Sequence, residues 1–319
     1  MKRERARIGG PTPRQAIAIC CLAAVIGCRA PAAVPVCGAL HWDGTSCVEP
    51  FPPGTEIPRD FAFAPTLDGA VFRDARRAPR LYAVIVTEID QLQALLVTLP
   101  FASLDRPMVV RRLAEDNVEI EKASEVPEAA RDHAGKEAIR FYSVLIAEYS
   151  GDPSATFPSS PPRPYHALDE VTYYRALEYE RAGDDDSALH AYSEIIVKSP
   201  TSAYVPKAYL ALGERRFEAM RNDKDASRCA GTSDRAWASK WDRTWATYRE
   251  NVLATPAAEN PVYGYAWYKL GYVYANVRQR FLARYAFQQA VDFAARFPET
   301  PGAKVLGEDA QARINLLSR

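Results

Sequence analysis

Nothing in this 319-residue chain matches the short motifs by which catalysis or nucleotide binding is usually legible. There is no Gly-x-Ser-x-Gly elbow, no Walker-type phosphate loop, no Gly-x-Gly-x-x-Gly and no His-Glu-x-x-His. Histidine is scarce, and the four present, His41, His133, His166 and His190, are scattered, so no general-base or metal-ligand cluster is visible. Excess charge of one sign is missing too: 40 Lys and Arg balance 40 Asp and Glu. The apolar run at 16–27 is shorter than the roughly 20 residues a membrane-spanning helix needs. These absences point away from a motif-bearing enzyme and from nucleic acid as a partner, and no cofactor or metal is expected. The acidic run Asp184–Asp186 lacks the ligand spacing of a calcium loop and reads as a solvated turn.

The N-terminus carries an export pattern. Lys2, Arg3, Arg5, Arg7 and Arg14 precede the apolar run, which ends at Val25, Ile26, Gly27 and Cys28. This resembles a bacterial lipobox, in which an aliphatic residue and two tolerated residues precede an obligatory Cys. The resemblance implies a signal peptide at 1–27 and lipid attachment at Cys28; the alternative is an ordinary signal peptide, or a buried helix, carrying an incidental Cys. Removing 1–27 takes away five Lys or Arg and one Glu, leaving 35 basic and 39 acidic residues and a formal charge of −4. Attachment to a membrane is therefore expected through the lipid alone.

Cys37 and Cys47 bracket a stretch containing His41 and the turn-forming pair Asp43 and Gly44. In an oxidising compartment a Cys37–Cys47 disulfide is the expected outcome. The alternative is a metal site with His41, for which two Cys and one His fall short of a closed zinc shell. Cys229 is then an odd thiol. Five prolines between 48 and 65 read as an extended tether, so 28–79 is expected to be an anchored tether with a small disulfide loop.

From Arg80 the pattern turns helical. Ile85, Ile89, Leu92, Leu96 and Leu99 recur at three- and four-residue spacing, and Pro100 ends that run. Asp105 is expected to cap a second helix reaching Lys122, and a third is expected over about 128–149. The Pro/Ser stretch at 152–164 reads either as a linker or as a long loop over a continuous array, and the second is preferred.

The strongest pattern comes last. Trp267, Leu270, Gly271 and Tyr274, followed by Ala283, Phe287 and Ala290, spell W-x2-L-G-x2-Y, A-x3-F and a further small residue. Gly271 and Ala283 would let two helices approach closely, while the large residues fill the space beside the crossing. The same frame fits Tyr209, Leu212, Gly213, Tyr248 and Pro256, with an insertion of about 19 residues against a unit of about 34. It fits again at Ala176, Tyr179, Ala188, Tyr192 and Pro200, and more loosely at Leu113, Ala114, Ala138, Tyr142 and Leu145. Within the insertion Trp237, Trp241 and Trp245, with Tyr248 and Val252, share one helical face. That face reads as core, the alternatives being a partner groove or an interfacial membrane helix.

These residues resemble the tetratricopeptide repeat (TPR), a stacked pair of antiparallel helices. The phrases around Ser199–Pro206 and Phe297–Ala303 resemble the TPR lipoproteins of the Gram-negative envelope, such as the TPR subunit of the β-barrel assembly machine and the Tol-Pal coordinators. The resemblance covers 169–319. It implies an all-α, right-handed TPR-like solenoid, with repeats over 165–319 and a divergent helical region over 80–152. It implies no enzyme but a periplasm-facing, outer-membrane scaffold for an envelope protein or peptide; the alternative is a lipoprotein that binds glycan or peptidoglycan. The groove positions of the family fall here on Tyr173, Leu177, Glu180 and Arg181, on Lys207, Leu210, Glu214 and Phe217, and on Tyr265, Tyr268, Tyr272 and Asn276. Of the carboxylate clamp of chaperone-binding relatives only Asn276 fits, so that activity is not implied.

Overall fold

The computed structural model describes residues 57–58, 60–74, 76, 79–150, 165–222, 243–277 and 279–319 in full, and 41–42 and 47–48 as backbone. The chain divides into two units, Met1–Gly54 and Thr55–Arg319. In the first, β1 (His41–Trp42) pairs antiparallel with β2 (Cys47–Val48), with His41 opposite Val48 and Trp42 opposite Cys47. Asp43 and Gly44 lie in sequence between these paired residues. The proposed signal at 1–27, Cys28 and Cys37 fall outside the described residues, as do Cys229, Trp237 and Trp241. No helix among the described residues is long and apolar enough to cross a membrane.

The second unit is all-α among its described residues. A five-residue helix α1 (Gly69–Arg73) is followed by α2 (Tyr82–Thr98), α3 (Arg106–Lys122), α4 (Glu128–Tyr149), α5 (Leu168–Arg181), α6 (Asp185–Lys198) and α7 (Val205–Asn222). After 223–242, a π turn (Thr247–Asn251) and a 3-10 turn (Val252–Ala254) lead to α8 (Tyr263–Asn276), α9 (Arg280–Arg296) and α10 (Ala303–Leu316). From α2 to α7, and again from α8 to α10, each helix packs on the next, and the π turn bridges α7 and α8.

Local chemistry accounts for several boundaries. Gly183 takes a left-handed φ of 74° after α5, and Asp184 then caps α6 by accepting from the Ser187 N–H at 3.1 Å. The acidic triplet thus sits at a helix N-terminus, where the macrodipole favours it. At α3 the expectation fails in detail. Asp105 stands at the start of the helix but its side chain makes no capping bond. Its own N–H donates to Ser103 Oγ at 3.2 Å, and Pro107 removes one of the first-turn N–H groups that a cap would serve.

Two glycines of the sequence frame sit directly against aromatic rings. A Cβ built on Gly271 would lie 2.6 Å from the Phe287 ring, and one on Gly213 would lie 2.7 Å from the Tyr248 ring. The same glycine-to-aromatic relation therefore recurs in the two units that share the sequence frame. The described end of the aromatic stripe faces inward: Tyr248 and Val252 are buried, and Trp245 Nε1 donates to the Tyr274 hydroxyl at 2.8 Å. Helices α4 and α5 pack together, and the Tyr165 N–H donates to the Tyr149 carbonyl at 3.3 Å, so 151–164 joins two packed helices.

The segment before α2 departs from the expected tether. The compact unit begins at Thr55, and Phe61 and Phe72 belong to the same apolar core as α8 and α9. These aromatic residues fasten the stretch down, each buried ring contributing about 1.5–3 kcal/mol.

Candidate functional site

Three helices form the floor of the site. Helix α5 supplies Tyr173, Leu177 and Glu180, α7 supplies Lys207, Leu210, Glu214 and Phe217, and α8 supplies Tyr265, Tyr268, Tyr272 and Asn276. Within each helix these positions are three or four apart and so share a face. Tyr173, Tyr265, Tyr268 and Tyr272 are at most 1% exposed. What covers them is the chain's own segment 60–76, which crosses the face from the α8 side toward α3.

The segment can be followed contact by contact. Asn276 Nδ2 donates to the Phe63 carbonyl at 3.1 Å, and the Phe61 ring lies 5.9 Å from that of Tyr272. Thr66 Oγ1 donates to Asp309 on α10 at 3.0 Å and sits 3.3 Å from the Tyr268 hydroxyl, which itself donates to Asp309 at 2.6 Å. The Tyr265 hydroxyl donates to the Leu67 carbonyl at 3.0 Å, and Phe72 stacks on the Tyr265 ring at 4.4 Å. The Tyr173 hydroxyl donates to the Arg73 carbonyl at 2.9 Å.

Arg73 is the charged centre of the contact. Its guanidinium reaches Glu180 at 2.6 Å, Glu214 at 2.8 Å and the Tyr192 hydroxyl at 3.1 Å. Beyond it Asp74 pairs with Lys122 at 2.8 Å and with Arg181. Arg76 reaches Glu178 at 2.5 Å and Asp74 at 2.9 Å, and lies over the Tyr174 ring. The groups respond as the geometry demands. Burial opposes the charge on Arg73, but Glu214 and Glu180 hold its pKa well above the ordinary value. Burial would raise the Asp74 and Glu180 carboxyls, yet Arg76 and Lys122 hold the first well below its usual range and Arg73 holds the second below. Burial lowers Lys207, whose ammonium sits near the Tyr173 and Tyr204 rings. The face thus holds the segment, short helix α1 included, with hydroxyl and amide donors aimed at its carbonyls and carboxylates aimed at its guanidiniums.

The chain matches no protein-family model and no curated protein.

The structure brings Tyr173, Tyr265, Tyr268, Tyr272 and Asn276 onto the covering segment directly. Arg181 reaches it at the rim through Asp74, and Phe217 lies in the core, beneath the Lys269 ammonium. Cys28 and Cys37 lie outside the described residues, and Cys47 is described only as β2 backbone. His133, His166 and His190 are exposed. No group of three His, Cys, Asp or Glu among the described residues is arranged to hold a metal ion.

Sequence reasoning missed the covering residues Phe61, Phe72, Arg73 and Arg76, and the carboxylates Glu121, Glu178 and Asp309. The signal was a run of aromatic and arginine residues inside a proline-rich stretch. Such residues are costly to leave bare in a true tether.

One pair at this rim titrates. Burial and a hydrogen bond shared with Glu178 push the Glu121 carboxyl up to about 8, while Arg76, that same bond and Arg181 hold Glu178 below the ordinary range despite its burial. Arg181 also reaches Glu121 at 3.3 Å. The folded chain thus keeps a proton on Glu121 that the unfolded chain releases above an ordinary value of 4.5. The stability this proton provides is present below that value and lost as pH rises through about 8. The expected result is a melting temperature that falls between pH 6 and pH 8.5, with a smaller fall in Glu121→Gln. An unchanged fall in the variant would remove Glu121 as its source.

Proposed function

We propose that this chain is a non-enzymatic scaffold of the TPR-like solenoid kind, whose inner face grips a protein segment. The reading is supported by the repeated glycine-to-aromatic crossings at Gly213 and Gly271 and by the sequential packing of the helices. The observation that carries it is the passage of the described residues of 60–76, helix α1 among them, across the inner face, held at three carbonyls by Asn276, Tyr265 and Tyr173. Main-chain acceptors held by fixed side-chain donors, with aromatic and arginine anchors between them, are how peptides are recognised.

The proposed setting is the periplasmic face of a Gram-negative outer membrane, with Cys28 lipidated and an envelope protein as the partner. It rests on the basic, apolar and Cys pattern at 2–28, and loss of labelled palmitate in Cys28→Ser is its measure. Glycan binding has less behind it. Sugars stack on open ring faces, and Tyr173, Tyr265, Tyr268 and Tyr272 present none.

In-cell photocrosslinking provides the test, with the crosslinker at Asn276 or Arg181 on the groove and at the exposed Val197 on α6 as a control. The expected result is one protein captured from both groove positions and not from Val197. Capture that is equal from all three, or absent from the groove, would reject the scaffold reading.

A further inference from the structure

We propose that residues 57–76 are a ligand bound in cis, and that the groove is a receptor for peptides of the same chemistry: a short helical turn carrying Phe-Arg, with a second Arg three residues on. This rests on the scaffold reading and names the class of partner that the scaffold takes. Such a partner enters when the chain's own segment leaves.

The first ground is the way the segment is held. Among the described residues, its backbone-to-backbone hydrogen bonds are internal, such as Phe61 N–H to Pro58, Val71 N–H to Asp68 and Asp74 N–H to Ala70. Its links to the helices are side-chain bonds, ring contacts and ion pairs. Helices also keep their backbone bonds to themselves; what sets this segment apart is that its helix α1 is five residues long and that side-chain contacts fasten it to the floor, as a bound peptide is fastened.

The second ground is the floor. Between the helices the core is built from groups that water cannot serve, such as Leu113, Ala138, Leu145, Ala176, Ala188 and Ile195. Under the segment the floor is Tyr173, Tyr265, Tyr268 and Tyr272 with Glu180 and Glu214, and beneath Phe61 it includes the apolar Phe287 ring. When the segment leaves, those hydroxyls and carboxylates hydrate, so the vacated face is wettable. Lys269, 3.9 Å from Glu214, remains to balance one of the acids.

The third ground is complementarity of charge and shape. Arg73 and Arg76 meet Glu180, Glu214 and Glu178, and Phe72 enters a slot between the Tyr265 ring and Gly302. Gly302, already required by its left-handed φ of 75° at the start of α10, also leaves room for the ring: a Cβ there would lie 2.6 Å from Phe72. A peptide lacking either the Phe or the first Arg leaves this slot empty or these acids unpaired.

Covalent attachment sets the terms of competition. A tethered segment acts at an effective concentration in the millimolar range, so a free peptide at micromolar concentration is excluded about a thousandfold. Cutting the chain on both sides of the segment removes that advantage without altering one contact.

The experiment uses the full chain with protease sites inserted between Gly54 and Thr55 and between Arg77 and Ala78. The probe is a fluorescent synthetic peptide of residues 57–76. After cleavage and dilution, the probe is expected to exchange into the groove and to bind at least about 100-fold more tightly than to the uncut chain. The same peptide carrying R73E is expected to lose that binding at least about 100-fold, because it sets a carboxylate against Glu180 and Glu214. Failure of the probe to exchange into the cleaved chain overturns the proposal. So does loss of helical circular dichroism once the segment is removed, since the segment would then be part of the fold. Equal binding of the R73E peptide overturns the assigned chemistry. None of these outcomes touches the crosslinking result, so the scaffold reading stands or falls separately.

Discussion

Replacing Arg73 with Met is expected to weaken the hold on the covering segment by about 3 kcal/mol. Removing one partner of a buried ion pair typically costs about 3–5 kcal/mol, because the opposite charge is left without compensation. Here the guanidinium is 2% exposed and serves two carboxylates, so its loss leaves Glu180 and Glu214 with one another and with the distant Lys269. Glu180 keeps a bond from the Tyr192 hydroxyl at 2.8 Å, and Glu214 one from Tyr265 at 3.2 Å, which places the estimate at the lower end. The effect is local before it is global, since the segment's backbone bonds are its own. The measurement is therefore hydrogen exchange at the Val71 and Asp74 amides, whose bonds close α1. About 3 kcal/mol corresponds to roughly a hundredfold loss of protection. Arg73→Lys is expected to fall between, because an ammonium is a point charge and cannot reach Glu180, Glu214 and the Tyr192 hydroxyl in the fork geometry of a guanidinium. Protection unchanged in Arg73→Met would mean that the apolar contacts of Phe61 and Phe72 hold the segment alone.

The same residues show where sequence reading reached and where it stopped. The helices from α2 onward were legible because their apolar residues keep a local period, and their ends carry Pro100, Gly183 and Asp184, whose effects act within one turn. The span of α4 was foreseen as about 128–149 and is Glu128–Tyr149. The close approach at Gly271 was legible for the same reason, since Phe287 lies one helix away. The covering segment was not. Thr66 meets Tyr268 across 202 positions of sequence, and no local period announces a contact of that span. Five prolines mark the composition of 48–65 and argue for a tether, but a segment in solvent and a segment lying on helices have the same local signature. The frame singled out Tyr173, Tyr265, Tyr268 and Tyr272, yet it carries no information about what lies on them. Asp105 is the smaller case, in which a capping residue at the right position has Pro107 beside it and makes no cap.

Gly271→Leu is expected to destabilise the chain by about 3 kcal/mol or more, and Gly271→Ala by about 1 kcal/mol. Even a single Cβ at 271 would lie 2.6–2.8 Å from three atoms of the Phe287 ring, closer than real contacts allow. Overpacking of this kind costs about 1–3 kcal/mol, and occasionally more. The ring has little room to retreat. Phe287 is fully buried and sits edge-on to Tyr272 at 5.2 Å and to Tyr268 at 5.8 Å, with Phe61 of the covering segment at 6.4 Å. For alanine, the helix-forming gain of about 1 kcal/mol over glycine offsets part of the clash. Leucine adds three further carbons in the same direction with no larger gain, so the helices must part or the ring must leave its rotamer. The decisive control is Phe287→Leu. If the ring is the obstacle, Gly271→Ala in that background should cost less than half of what it costs in the parent chain, a non-additivity that contacting residues show and distant ones do not. Urea-unfolding midpoints of the four chains measure it. Additive losses would mean that Gly271 is kept for some reason other than the Phe287 ring.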